Sequence, residues 1–187
     1  MKNQKLLTKL TDFRNFLYLT WKHLNLPEPT KIQYDIADYI ANGDSRIIVS
    51  AFRGVGKSWI TASYVLWRLL LNPNINILVV SASKNRADDF STFCLRLLSE
   101  IPILQHLYPR DDQRQSKISF DVNTATASQQ PSVKSLGITS QITTMLQVHV
   151  FCFCKFLFQN CHASICGWPG AHIFTPCALM IKYGRPY

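Results

Sequence analysis

The chain is 187 residues long, carries 20 Lys and Arg against 11 Asp and Glu, and is 47% hydrophobic and 17% charged. That balance excludes an intrinsically disordered polypeptide, and the length accommodates one ordinary domain with its own core. No window reaches the ~18 uninterrupted apolar residues of a membrane span. The Met1-Lys2-Asn3-Gln4-Lys5 start leads into an amphipathic stretch, not an apolar signal core, so a cytoplasmic protein with no membrane partner is expected.

The charge is unevenly spread. Every acidic residue lies at or before Asp121, and residues 144–187 hold Lys155, Lys182 and Arg185 with no Asp or Glu. The same stretch holds Cys152, Cys154, Cys161, Cys166 and Cys177 and three of the five histidines. The composition therefore divides the chain near residue 143.

Leu6, Leu10, Phe13, Leu17, Trp21 and Leu24 recur at steps of three and four, which predicts an amphipathic helix over about 4–24 that covers the domain from outside and stops before Pro27. Thr30 is a helix N-cap, with Ile32, Ile36 and Ile40 on the buried face and Asn42-Gly43 as the stop. Ile47-Ile48-Val49-Ser50 is a β-branched run suited to a buried parallel strand. Residues 51–58 follow, then a helix to about Leu71 closed by Asn72-Pro73, a second buried strand over 76–81, and a helix from about Asn85 to Ser99. Residues 118–122 alternate with period two and predict a half-buried strand, 133–136 predict another, and the Ser/Thr/Ala/Gln-rich segment 123–131 between them is a loop.

Ala51-Phe52-Arg53-Gly54-Val55-Gly56-Lys57-Ser58 lies after a buried strand and opens a helix, the context a phosphate-binding loop requires. Gly54 and Gly56 can take backbone angles closed to other residues and let main-chain N–H groups approach phosphates, toward which the helix directs its positive end. Lys57 would reach the β and γ phosphates, and the Ser58 hydroxyl would ligate magnesium. The common pattern has Gly six places before the lysine, where this chain has Ala51. Arg53 inside the loop is either a guanidinium for transition-state charge or an exposed source of positive potential. Upstream, Gln33 in Pro27-Glu28-Pro29-Thr30-Lys31-Ile32-Gln33 offers an amide donor and acceptor that match the N6 and N7 edge of adenine. The segment is similar to the adenine-reading glutamine motif of helicase-like ATPases. The alternative is a proline turn with a Thr cap and an exposed Gln33.

Together, Leu24-Asn25-Leu26-Pro27, residues 51–58, Leu78-Val79-Val80-Ser81-Ala82-Ser83-Lys84 and Ser132-Val133-Lys134-Ser135-Leu136-Gly137-Ile138-Thr139 resemble the N-terminal ATPase part of the terminase large subunit, or DNA maturase B, of short-tailed phages. The resemblance covers about residues 10–143. It implies an α/β P-loop NTPase fold, with a mostly parallel sheet flanked by helices, and an ATP-driven motor that packages double-stranded DNA into a procapsid. It also implies a portal protein and a small terminase subunit as partners, a homo-oligomer ring in the intact protein, a location in the host cytoplasm, and a C-terminal nuclease. The nucleotide contacts it implies are Gln33 and Ala51, Phe52, Arg53, Gly54, Val55, Gly56, Lys57 and Ser58, with Lys57 and Arg53 as catalytic groups and magnesium on Ser58. Lys84 and Arg86 follow a strand at the edge where helicase-like ATPases touch DNA, and Arg110, Arg114, Lys117 and Lys134 add charge. A solvated basic face accounts for the same residues.

In this family an apolar strand ending in two acidic residues is expected shortly after Thr143. Here residues 144–154 are apolar enough for a strand, but no carboxylate follows. Phosphoryl transfer to water requires a metal held against the phosphates and a group that orients the nucleophile. The tail cysteines give a zinc pattern only in irregular form, through Cys161, Cys166, His172 and Cys177. An out-of-frame translation would produce this acid-free, Cys/Phe/His-rich composition with its abrupt onset. The expectation is residues 1–143 as the N-terminal part of an ATPase domain and 144–187 as a divergent tail, frameshifted or disordered, with later strands and the nuclease lost. Two functions follow: a fragment of a packaging ATPase, or an inactive nucleotide- or DNA-binding remnant. A small-molecule kinase shares the loop but has no reason to carry the Gln33 segment.

Overall fold

The computed structural model describes residues 8–44, 46–81, 83–137, 149–154 and 178–182. Helix α1, Phe13–His23, is capped by Asp12, whose carboxylate accepts the Arg14 N–H at 2.9 Å and pairs with its guanidinium at 3.0 Å. The continuous helix expected over 4–24 is therefore interrupted: the apolar spacing runs through residues 10–13, but an Asp side chain satisfies the orphan N–H groups of a new helix start there. Asn25, at φ 53°, takes the left-handed conformation that closes the helix before Pro27.

Helix α1 covers the domain from outside, with Arg14, Asn15, Tyr18 and Lys22 exposed. Phe13, Phe16 and Leu17 are buried, and the Phe13 ring meets Tyr64 edge to face at 5.1 Å. Trp67 Nε1 donates to the Leu10 carbonyl at 2.7 Å. Tyr64 and Trp67 belong to α3, Lys57–Leu71, buried on every side from Ile60 to Trp67 and stopped where Asn72 turns extended before Pro73. Each fully buried Phe or Leu of this seam contributes about 1.5–3 kcal/mol relative to exposure. Between them in sequence lies α2, Lys31–Asn42, which starts on a reciprocal capping box: Thr30 Oγ1 accepts the Gln33 N–H, and Gln33 Oε1 accepts the Thr30 N–H at 2.8 Å.

The strands are β1 (Arg46–Ser50), β2 (Ile77–Ser81), β3 (Ser119–Phe120), β4 (Val133–Gly137), β5 (His149–Cys154) and β6 (Ala178–Lys182), in the spatial order β1-β6-β5-β2-β4-β3. Strand β2 is buried at all five residues and pairs in parallel with β4 and β5. Helix α4, Lys84–Glu100, returns from β2 and packs on β4. The other three pairings, β1 with β6, β6 with β5, and β3 with β4, are antiparallel. The sheet is thus mixed and not mostly parallel. The short connection 121–132 suits a reversal into β4, and β6 fills the slot between β1 and β5, satisfying backbone groups that would otherwise form edges. The strand expected over 118–122 is confined to two edge residues because Asp121 and Val122 turn away: Asp121 N–H bonds to Arg114 and Val122 N–H to the Ser132 hydroxyl.

Two segments of the acid-free tail therefore pair within the same sheet. The expected boundary at residue 143 falls in 138–148, outside the described residues, as do Cys161, Cys166, His172 and Cys177 of the zinc pattern. Among the described residues no helix is long and apolar enough to cross a membrane, and no cluster of three or more His, Cys, Asp or Glu is placed to hold a metal.

Candidate nucleotide site

Strand β1 is antiparallel to β6, β6 to β5, and β5 runs with β2, so β1 and β2 point the same way and end at one sheet edge, at Ser50 and Ser81. Residues 51–56 leave β1 at this edge and enter α3. Ligands of open α/β sheets bind beyond the carboxyl ends of strands, and the loop lies at that edge.

Gly54 at φ 96° and Gly56 at φ 86° both sit in the left-handed region that disfavours side chains. Gly56 is the N-cap of α3 and has no side chain to bond the N–H groups of the first turn, of which those of Trp59 and Ile60 donate to its carbonyl, at the positive end of the helix dipole. A Cβ at Gly54 would meet nothing within 4 Å, so the approach to the loop is open. Phe52, Arg53, Gly54 and Ser58 are exposed, Ala51, Gly56 and Lys57 half-buried, and Val55 is buried and anchors the loop. Lys57 Nζ folds back and donates to the carbonyls of Ala51 at 2.6 Å and Phe52 at 2.7 Å. A phosphate offers this ammonium a charge-assisted partner stronger than either neutral carbonyl.

Gln33 comes to the loop from α2. Besides its carbonyl bond to Thr30, its Nε2 donates to the Val55 carbonyl at 2.9 Å. Gln33 is half-buried and touches the motif it was predicted to serve. One N–H and one lone pair of the amide remain for a base edge. Arg53 points away from the core and is exposed. Lys84 and Arg86 lie in the first turn of α4, capped by Ser83, also beyond the carboxyl end of β2. Arg53, Lys57, Lys84 and Arg86 thus gather on one edge and favour a polyanion there.

The other basic residues behave differently. Arg114 donates to the carbonyls of Ser128 at 2.7 Å and Gln129 at 2.9 Å and lies 3.6 Å from Asp121, and Arg110 bonds the Asn123 carbonyl. Both are fastened to the chain's own backbone and do not form a free basic face.

Sequence reasoning passed over Trp59 beside the loop and placed Trp21 only on the apolar stripe of the first helix. Trp59, two places beyond Lys57, is 42% exposed, and its ring meets Trp21 of α1 edge to face at 6.2 Å. A Cβ on Gly56 would lie 3.4 Å from Gln33 Nε2 and 3.7 Å from Trp21 Cζ2, so the amide and the tryptophan pair share one side of the loop. The available signal was a tryptophan directly after Ser58, at a helix start where a small or polar residue suffices.

The residues present suit a triphosphate: a helix start without a side-chain cap, a lysine at its first position and two left-handed glycines. For magnesium they supply the exposed Ser58 hydroxyl. Fold and loop together define a mixed α/β protein with a strand–glycine loop–helix unit at the carboxyl edge of its sheet. No family model matches the chain. It is 52% identical over 133 residues to the terminase large subunit of Enterobacteria phage T3, a stretch that is 71% of this chain and 23% of that relative. The resemblance to terminase large subunits is thus shown, and the chain is a relative of that phage protein over this stretch, which spans about a quarter of its length.

Proposed function

We propose that residues 1–143 are the nucleotide-binding part of a DNA-packaging ATPase of the terminase type, and that the loop 51–58 holds ATP with magnesium. The observation that carries this reading is the pair of left-handed glycines opening α3 beside Lys57, on a chain 52% identical to a terminase large subunit. In this reading the first-turn N–H groups of α3 cradle the phosphates and Lys57 exchanges its loop carbonyls for β and γ oxygens. Arg53 faces the γ position, Ser58 holds magnesium, and Gln33 reads adenine with the donor and acceptor left over from Thr30 and Val55. Bound magnesium would neutralise charge on the phosphates. Lys84 and Arg86 are the proposed DNA contacts. A portal protein, a small terminase subunit, a ring of copies and the host cytoplasm are proposed for the intact protein.

The test is equilibrium binding and steady-state hydrolysis of ATP by the purified chain, with Lys57→Ala as control. Binding reduced about 10- to 100-fold in the variant supports the site. Unchanged binding would falsify it.

A second reading, a remnant that binds without hydrolysing, is favoured by one observation: β5 runs parallel beside β2 and ends at Cys154, followed by Lys155, with no acid anywhere after Asp121. ATP binding without turnover supports it, and turnover abolished by Lys57→Ala rejects it. That residues 144–187 arise from a frameshift remains part of this proposal. An apolar run ending in paired acids within about fifteen codons of Thr143, in another frame of the gene, would support it, and absence from both other frames would reject it.

A further inference from the structure

Helix α3 is buried from Ile60 onward, yet its third residue is a tryptophan with 42% of its surface open. Leaving a large aromatic ring exposed sacrifices the burial that favours tryptophan in a fold, and a smaller side chain would cap this turn equally well. The ring is not loose, because the buried Trp21 holds its position through the edge-to-face contact. Trp21 in turn lies against the loop at Gly56, on the side where the Gln33 amide bonds the Val55 carbonyl.

We infer that Trp59 is the stacking platform for the nucleobase of the bound nucleotide, a specificity-determining residue that acts with the free edge of Gln33. The inference rests on the nucleotide reading of the loop. A phosphate chain seated on the first turn of α3 places the sugar and base beside the same turn, where Trp59 is an open ring held in place by Trp21, whereas Phe52, the other exposed ring at the loop, precedes both of its glycines. Stacking is tolerant of base identity because every base has a π face, whereas the amide edge discriminates by hydrogen bonding. The two residues therefore divide the work. Trp59 supplies affinity for any base, and Gln33 supplies preference for adenine.

The experiment compares ATP with inorganic tripolyphosphate, which lacks sugar and base, by calorimetry on the full chain. Wild type, Trp59→Ala, Trp59→Tyr and Lys57→Ala are measured, with folding checked by circular dichroism. Trp59→Ala should weaken ATP about 5- to 100-fold and leave tripolyphosphate unchanged, and Trp59→Tyr should recover most of the loss. Equal weakening of both ligands would show that Trp59 shapes the loop and would overturn the inference, as would unchanged ATP affinity. Failure of the underlying reading looks different: wild type then binds neither ligand, or Lys57→Ala leaves both untouched, and the inference falls with it.

Discussion

The two edges of the sheet are built on opposite plans. At the amino-terminal edge of β2 and β4, the connection 108–132 is tied down by side chains that bond backbone. Arg114 holds Ser128 and Gln129, Asn76 donates to the Pro131 carbonyl, Asn74 accepts from Thr126 N–H, and Asp121 accepts from Ser132 N–H. At the carboxyl edge, the loop 51–58 carries left-handed glycines, exposed Phe52, Arg53 and Ser58, and a lysine bound to two of the loop's own carbonyls. The first edge uses its polar groups to hold itself together. The second exposes Phe52, Arg53 and Ser58 to solvent and ties Lys57 to neutral carbonyls of the loop.

The contrast can be broken most sharply at Lys57. Lys57→Ala should lose about 10- to 100-fold in ATP affinity while moving the thermal midpoint little, and a variant that loses stability as much as binding would show that the lysine is a structural clasp. Next comes Gly56→Ala. The neighbours at 3.4 and 3.7 Å accommodate a Cβ, but φ 86° costs an L-residue about 1–2 kcal/mol, so the loop should shift and ATP binding weaken several-fold. Denaturant unfolding alongside calorimetry separates the two effects, and a variant indistinguishable from wild type would mean that the loop does not require its left-handed turn.

Arg114→Ala should do the reverse. It should lower stability by about 1 kcal/mol, since its side chain is 44% exposed and water can replace part of what is lost, with ATP and salt-dependent DNA binding unaffected. A drop in DNA affinity would return Arg114 to the basic face from which its carbonyl bonds remove it.

The smallest effect lies away from both edges. The Arg14 hydrogen bond holds the Asp12 carboxyl below its usual range. A depressed carboxyl contributes stability that is present above its unfolded value near pH 4 and is lost as pH falls through the lower folded value. Asp12→Asn should therefore be slightly less stable than wild type at neutral pH, with the gap closing below about pH 4 in urea titrations. A gap constant down to pH 2 would remove Asp12 from the acid response.

Local features were legible in the sequence. Thr30 and Gln33 stand three apart at a helix start, and the β1–loop–α3 unit is contiguous, so caps, glycines and lysine could be placed by spacing. Pairings across the chain were not. That Gln33 bonds Val55, that Trp21 reaches Trp59, and that Arg114 binds carbonyls at 128 and 129 depend on how elements dock, and periodicity says nothing of that. The same holds for β6 between β1 and β5, where apolar character announced strands without direction or order. The break at Asp12 was missed for another reason: the apolar spacing continued across it, and one side-chain bond overrode the pattern.

The seam between α1 and α3 bears on the order of events during synthesis. Phe13 packs on Tyr64, and Trp67 bonds the carbonyl of Leu10, so the first described helix has its partner more than fifty residues downstream. A helix of 11 residues is marginal in water by itself. While the ribosome is still making β1 and the loop 51–58, α1 has only α2 to pack on, and the aromatic face that later meets α3 is open to chaperones or to neighbouring chains. The loop 51–58 and the α3 residues Tyr64 and Trp67 that complete the seam emerge in the same stretch of translation, so loop and seam become available together.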